Sequence, residues 1–189
     1  MPRIITGTAK GKRIATLEGD ATRPTSDRIK EAIFSSIQFD VEGRRVLDLF
    51  AGSGQMGLEA MSRGAVSVTF VDLAREAMDI VKQNARTTGF FDKCRYSVSD
   101  YRNYIRKAAA RDKYDLVFVD PPYGMECCLE ALRALIKADM LALGAIVVLE
   151  SGTENIDPTT LEGFEVMKST NYGKKTCINI IMWRARGDE

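Results

Sequence analysis

The sequence predicts an α/β fold: one Rossmann-like, seven-stranded, mostly parallel sheet with helices on both faces. Three observations carry this. From residue 44 onward, short β-branched runs alternate with segments of helical periodicity, the rhythm of a covered parallel sheet. A chain of 189 residues fills one domain of ordinary size. The last two strand candidates stand too close in sequence for a helical crossover.

The strand candidates are 45–50, 67–71, 95–98, 114–119, 145–150, 164–169 and 176–183. Between them, helical spacing aligns Ala74, Ala77, Met78, Val81 and Ala85, then Tyr101, Tyr104, Ile105 and Ala108, then Leu129, Leu132, Leu135 and Ile136. These stripes read as core. Only residues 170–175 separate the last two strands, which predicts an antiparallel hairpin at the sheet edge. Ahead of the sheet, Pro24-Thr25-Ser26 supplies cap residues for a helix with Ile29, Ala32, Ile33 and Ile37 on one face. Residues 1–22 read as a small N-terminal β-hairpin extension, Ile4-Ile5 and Arg13-Ile14-Ala15 flanking a turn with Gly7 and Gly11, and 23–189 as the main domain.

Composition removes several classes of function. No apolar run approaches the roughly 18 residues of a membrane span, and the opening residues lack a secretory pattern, so a cytoplasmic protein without membrane contact is expected. Histidine is absent and the four cysteines form no Cys-x-x-Cys pair, so no metal site is expected. Without histidine there is no Ser-His or Cys-His nucleophile, leaving carboxylates, lysines, tyrosines or positioning to carry chemistry. Net charge is +1, yet residues 1–30 hold seven Lys/Arg against three acids. That basic stretch suits a phosphate backbone, or equally a solvated face.

The run 46–57, Val-Leu-Asp-Leu-Phe-Ala-Gly-Ser-Gly-Gln-Met-Gly, ends a strand, turns through glycines and opens a helix, as a nucleotide-binding turn does. Asp72, twenty residues past Gly52, stands where an acid accepts from ribose hydroxyls. Gly52, Gly54 and Gly57 also satisfy the dinucleotide pattern Gly-x-Gly-x-x-Gly. Asp48 argues against a dinucleotide: a carboxylate in the crevice repels pyrophosphate and suits a ligand with ammonium and sulfonium charges, as in S-adenosylmethionine. Asp100 follows the third strand, placed either to accept from an adenine amino group or to cap the helix opening at Tyr101.

Asp120-Pro121-Pro122-Tyr123, directly after the buried run 116–119, is the most informative tetrapeptide. Two prolines fix the backbone and remove two donors, so acceptors face the crevice beside a flat tyrosine. An amino group on a planar base needs acceptors that grip its N–H bonds and align its lone pair.

With the glycine turn, Asp72 and this tetrapeptide in order, the chain resembles class I methyltransferases that modify amino nitrogens through an Asn/Asp-Pro-Pro-Tyr motif. Arg3-Ile4-Ile5-x-Gly7, Lys10-Gly11-Lys12 and Arg23-Pro24-Thr25-x-Asp27-Arg28-x-Lys30-Glu31 are similar to the bacterial 16S ribosomal RNA guanine-N2 methyltransferases of the RsmD family, over essentially the whole chain. The resemblance implies a Rossmann-like class I methyltransferase fold with an antiparallel last strand and S-adenosyl-L-methionine as cofactor. It also implies 16S rRNA, within the small ribosomal subunit or its assembly intermediates, as partner. Its cofactor positions fall on Asp48, Phe50, Ala51, Gly52, Ser53 and Gly54, and on Asp72, Leu73, Asp100 and Tyr101. Catalysis falls on Asp120, Pro121, Pro122 and Tyr123. Substrate binding falls on Arg3, Lys10, Lys12 and Arg13, on Arg23, Thr25 and Arg28, and on Tyr172 and Lys174. Adenine-N6 DNA enzymes and glutamine-modifying enzymes share the tetrapeptide, so it identifies an amine acceptor, and the guanine assignment rests on the resemblance.

Overall fold

A computed structural model of the chain describes residues 2–17, 27–122, 124–152, 154, 156–173 and 176–184. Seven strands form one sheet: β1 (Arg45–Asp48), β2 (Ser67–Asp72), β3 (Cys94–Val98), β4 (Tyr114–Val119), β5 (Leu141–Ser151), β6 (Phe164–Asn171) and β7 (Cys177–Trp183). Their spatial order is β3-β2-β1-β4-β5-β7-β6. The first five run parallel, while β7 is antiparallel to both β5 and β6. The expected hairpin is therefore present, folded back so that its second strand lies inside and β6 forms the edge.

Five helices cover the sheet: α1 (Asp27–Ser36), α2 (Gln55–Ser62), α3 (Arg75–Thr88), α4 (Tyr101–Ala108) and α5 (Cys128–Lys137). Alternation along the strands sorts the core into two layers. Val46, Phe70 and Phe118 face α1, α2 and α3, whereas Leu47, Val71 and Val119 face α4 and α5. The apolar stripes face the core as the periodicity requires, with Ala32, Tyr104, Leu129 and Ile136 half-buried, except Ala74, which precedes α3 as its N-cap and is exposed. β1 stops at Asp48, short of Phe50, because the chain turns there, although Leu49 N still donates to Phe118 O at 3.1 Å. β5 begins earlier than expected, its register with β4 shifting around Gly144, whose φ of +76° breaks the pattern that sequence periodicity detects.

Residues 2–17 pair as a hairpin at one bridge, Arg3 with Arg13, and by Ile4 N to Lys12 O at 2.9 Å. Ile4, Ala9 and Ile14 of this segment pack in the α1–α3 core layer. The expected boundary at 22/23 and the cap residues Pro24-Thr25-Ser26 lie outside the described residues.

The docking of this segment explains why all eight residues of α2 are buried, Glu59 and Ser62 among them. Buried polar groups require partners. Glu59 accepts from Ile5 N at 2.7 Å, Thr6 N at 3.0 Å and Arg63 Nε at 2.8 Å. Ser62 Oγ accepts from Ala9 N at 2.9 Å and donates to Thr6 O at 2.6 Å. Only glycine fits at position 7, where φ is +86° and a Cβ would stand 1.7 Å from Ser62 O. Lys30 is fully buried, donates to Arg3 O at 2.6 Å and lies 4.0 Å from Glu59. Burial pushes its ammonium pKa down, against the opposing pull of Glu59 and Asp27.

Candidate active site

Because β1 to β4 are parallel, their carboxyl ends share one edge, the edge at which open α/β sheets bind ligands. Four aspartates separated in sequence stand there in spatial order: Asp100 after β3, Asp72 ending β2, Asp48 ending β1 and Asp120 after β4. The loops continue the ladder, with Ser99 N donating to Asp72 O at 2.8 Å and Ala51 N to Val71 O at 2.9 Å.

Asp48 is 3% exposed and, among the described residues, accepts one hydrogen bond, from Gly57 N at 3.0 Å. Burial lifts its pKa to about 7, with Asp72 adding a smaller push. A buried carboxylate with unused acceptor capacity suits a cationic ligand group. The turn above it is built on glycine. Gly52 and Gly54 have φ of +52° and +78°, and a Cβ at Gly57 would meet the Phe70 ring at 2.4 Å. At Gly52 the direction of a Cβ is open space, so a ligand can approach the backbone.

Asp72 has a task the sequence did not disclose. Its Oδ2 accepts from Gly52 N at 2.8 Å and its Oδ1 from Ala74 N at 2.9 Å, tying the turn to β2. Each oxygen keeps a second lone pair for a hydroxyl. Asp100 caps α4, its Oδ1 accepting from Arg102 N at 2.9 Å and Asn103 N at 3.4 Å, so the capping alternative is realised. Leu73 is 71% exposed beside Asp72, an apolar surface at the crevice. Phe50 and Tyr101 form a tilted aromatic pair at 5.1 Å. Gln55 Oε1, directly after the turn, is buried and has no hydrogen-bond partner among the described residues. Buried cation acceptor, open glycine backbone and apolar wall together fit S-adenosylmethionine.

β4 delivers the acceptor side. Asp48 registers with Phe118, and Asp120 follows directly after β4 ends, so the two acids close neighbouring strands at one edge. Asp120 and Pro121 are half-buried and Pro122 is exposed, while Tyr123 lies outside the described residues. The thiols of Cys127 and Cys128, just beyond, are pushed up by burial, so neither is an activated nucleophile.

The basic residues are only partly gathered. Lys10, Arg13 and Arg28 are exposed, and Arg3 lies 3.9 Å from Asp27. Lys12 instead donates to Thr87 O at 2.8 Å, satisfying a last-turn carbonyl of α3. Tyr172 is half-buried against the α1 layer, at the same sheet edge as Asp120. Arg23, Thr25 and Lys174 lie outside the described residues. Sequence reasoning missed Asn84, Glu59 and Lys30. The available signal was a polar residue on an apolar stripe, since Asn84 shares the spacing of Val81, Ala85 and Thr88.

The strand order and the glycine turn define the Rossmann-like fold of class I methyltransferases. The O-methyltransferase from Bacillus cereus in complex with SAH shares this fold, with a TM-score of 0.69 at 11% identity over 87% of this chain and 84% of that one. The chain belongs to the RsmD-like methyltransferase family: the family model described as conserved hypothetical protein 95 matches residues 2–181. Ribosomal RNA small subunit methyltransferase D of Haemophilus influenzae is 31% identical over 177 residues, covering 90% of this chain and 89% of the relative. The Escherichia coli protein yhhF has a structure with a TM-score of 0.87 at 29% identity, covering 98% of this chain and 99% of that one. Among the described residues no helix is long and apolar enough to cross a membrane, and no group of three or more His, Cys, Asp or Glu could hold a metal ion.

Proposed function

We propose that this chain uses S-adenosylmethionine to methylate the exocyclic N2 amino group of a guanine in 16S rRNA of the small ribosomal subunit. The observation that carries it is the row of aspartates, which sets Asp120-Pro121-Pro122 beside the Asp48 and Gly52–Gly54 turn at one sheet edge. The names of the Haemophilus influenzae and Escherichia coli relatives, ribosomal RNA small subunit methyltransferase D, support the substrate class.

S-adenosylmethionine supplies an electrophilic methyl group. On the protein side, Asp48 receives the ligand's ammonium, Asp72 its ribose hydroxyls, and the second oxygen of Asp100 its adenine amino group. Leu73, Phe50 and Tyr101 line the ring. The target base leaves its stack, rests on Tyr123 and presents its amino group to the Asp120 carboxylate and the Pro121 carbonyl. These acceptors hold both N–H bonds so that the lone pair points away from them. As nitrogen gains positive charge its proton becomes acidic, and Asp120 takes it.

The decisive measurement is tritiated methyl transfer to small subunits from a strain lacking the gene, followed by digestion to nucleosides. Labelled N2-methylguanosine is expected. Label in N6-methyladenosine would reassign the base, and transfer to duplex DNA alone would reassign the polymer. No transfer despite tight binding of S-adenosylhomocysteine would make the chain an RNA-binding protein on a methyltransferase scaffold. Asp120→Ala should lower turnover at least about 100-fold while leaving S-adenosylhomocysteine affinity unchanged; near-normal turnover would remove Asp120 from the chemistry.

A further inference from the structure

Asn84, on the buried face of α3, joins two parts of the molecule that are distant in sequence. It is 2% exposed. Its Oδ1 accepts from Ala15 N at 2.8 Å, and its Nδ2 donates to Ala15 O and to Ser53 O, each at 2.9 Å. A backbone N–H can only donate, so the Ala15 contact fixes the amide's orientation and aims Nδ2 at the two carbonyls. One side chain thereby serves as a strand-like partner for the N-terminal segment and as a clamp on the middle of the Gly52-Ser53-Gly54 turn.

The turn closes one hydrogen bond of its own, Gly54 N to Ala51 O at 2.7 Å. The two groups inside that bond are held by side chains from elsewhere, Gly52 N by Asp72 and Ser53 O by Asn84. The other arm of the N-terminal segment is bound to Glu59 and Ser62 of α2, the helix that the same turn opens. The segment is thus attached on both sides of the turn while its Lys10 and Arg13 remain exposed.

We infer that Asn84 is a positioning residue that couples the N-terminal segment to the methyl-donor turn. Nucleic acid held by the exposed bases of the segment favours its docked shape, and Asn84 passes that preference to Ser53. Donor affinity rises when RNA is engaged and, by linkage, RNA affinity rises when the donor is bound. The inference rests on the nucleic-acid reading proposed above and adds a route between the two ligands.

The test is equilibrium dialysis of tritiated S-adenosylhomocysteine with the full chain, alone and with saturating small ribosomal subunits that lack the modification. Subunit binding is scored separately by sedimentation. In the wild type, subunits should tighten S-adenosylhomocysteine binding at least about fivefold. Asn84→Ala should weaken binding by the free protein and largely abolish the subunit effect. Ala15→Pro removes the N–H given to Asn84 Oδ1, while Nδ2 keeps the carbonyls of residue 15 and Ser53 as acceptors. It should leave free-protein affinity near the wild-type value and reduce the subunit effect, and it decides the matter if Asn84→Ala fails to fold. Folded variants that keep the wild-type subunit effect would overturn the coupling. So would a wild type that binds subunits with no change in affinity; both results leave the proposed function standing. A wild type that does not bind subunits would overturn the nucleic-acid reading and the coupling with it.

Discussion

At the scale of single residues, the behaviour of Asp48 follows from its burial. Water is excluded from its carboxyl, so the charged form is disfavoured and the proton is retained to about pH 7. In the free protein, ionising it costs stability progressively as the pH climbs from the ordinary carboxylate range to 7, because the unfolded chain has already released that proton. A ligand ammonium reverses the preference by pairing with the charged form. S-adenosylhomocysteine affinity should therefore rise between pH 6 and pH 8 and then level off. Asp48→Asn should bind more weakly at pH 8 and lose this rise, which calorimetry across that range would reveal. A flat wild-type profile would mean that Asp48 does not meet the ammonium. Asp72 shows the complementary case: half-buried and supplied with Gly52 N and Ala74 N, its carboxylate shapes the turn as well as facing it.

At the scale of elements, α2 is decisive, since a helix of eight residues buried on every side has no solvent face to hold its polar groups. Its stability comes from tertiary partners rather than from propensity. Glu59→Ala would strand Ile5 N and Thr6 N and leave buried Lys30 without its buried counter-charge. A loss of about 3–5 kcal/mol in urea unfolding is expected. A loss below about 1 kcal/mol, the range of exposed pairs, would contradict this account. Packing of α2 on β2 sets a second limit. Gly57→Ala would drive a methyl into the Phe70 ring, 2.4 Å from the Cβ position. A cost of about 1–3 kcal/mol is expected, with weaker S-adenosylhomocysteine binding as the turn is lifted.

At the scale of the whole molecule, the sheet separates two helical layers, and the N-terminal segment belongs to one of them. Ile4 and Ile14 are fully buried against that layer. Ile4→Ala should cost about 2–5 kcal/mol, as at a core position, whereas the same change in a pendant arm would be nearly silent in thermal or urea unfolding. The parallel sheet and its antiparallel close were legible in the chain because strand and helix periods differ, and because 170–175 is too short for a crossover. The acids at the strand ends were legible for a related reason, since in a parallel sheet residues that follow strands converge on one edge. Local pattern carried no information about what covers α2, because burial of Glu59, Ser62, Asn84 and Lys30 depends on partners about 27 to 69 residues away. Sequence periodicity therefore determined the two layers and set an acid at the carboxyl end of each of the first four strands. Folding in three dimensions decided that the N-terminal segment is part of the core and that Lys12 serves α3. It also decided that the glycine turn is held by Asn84, because a buried polar group is defined by the donors and acceptors that long-range packing brings to it.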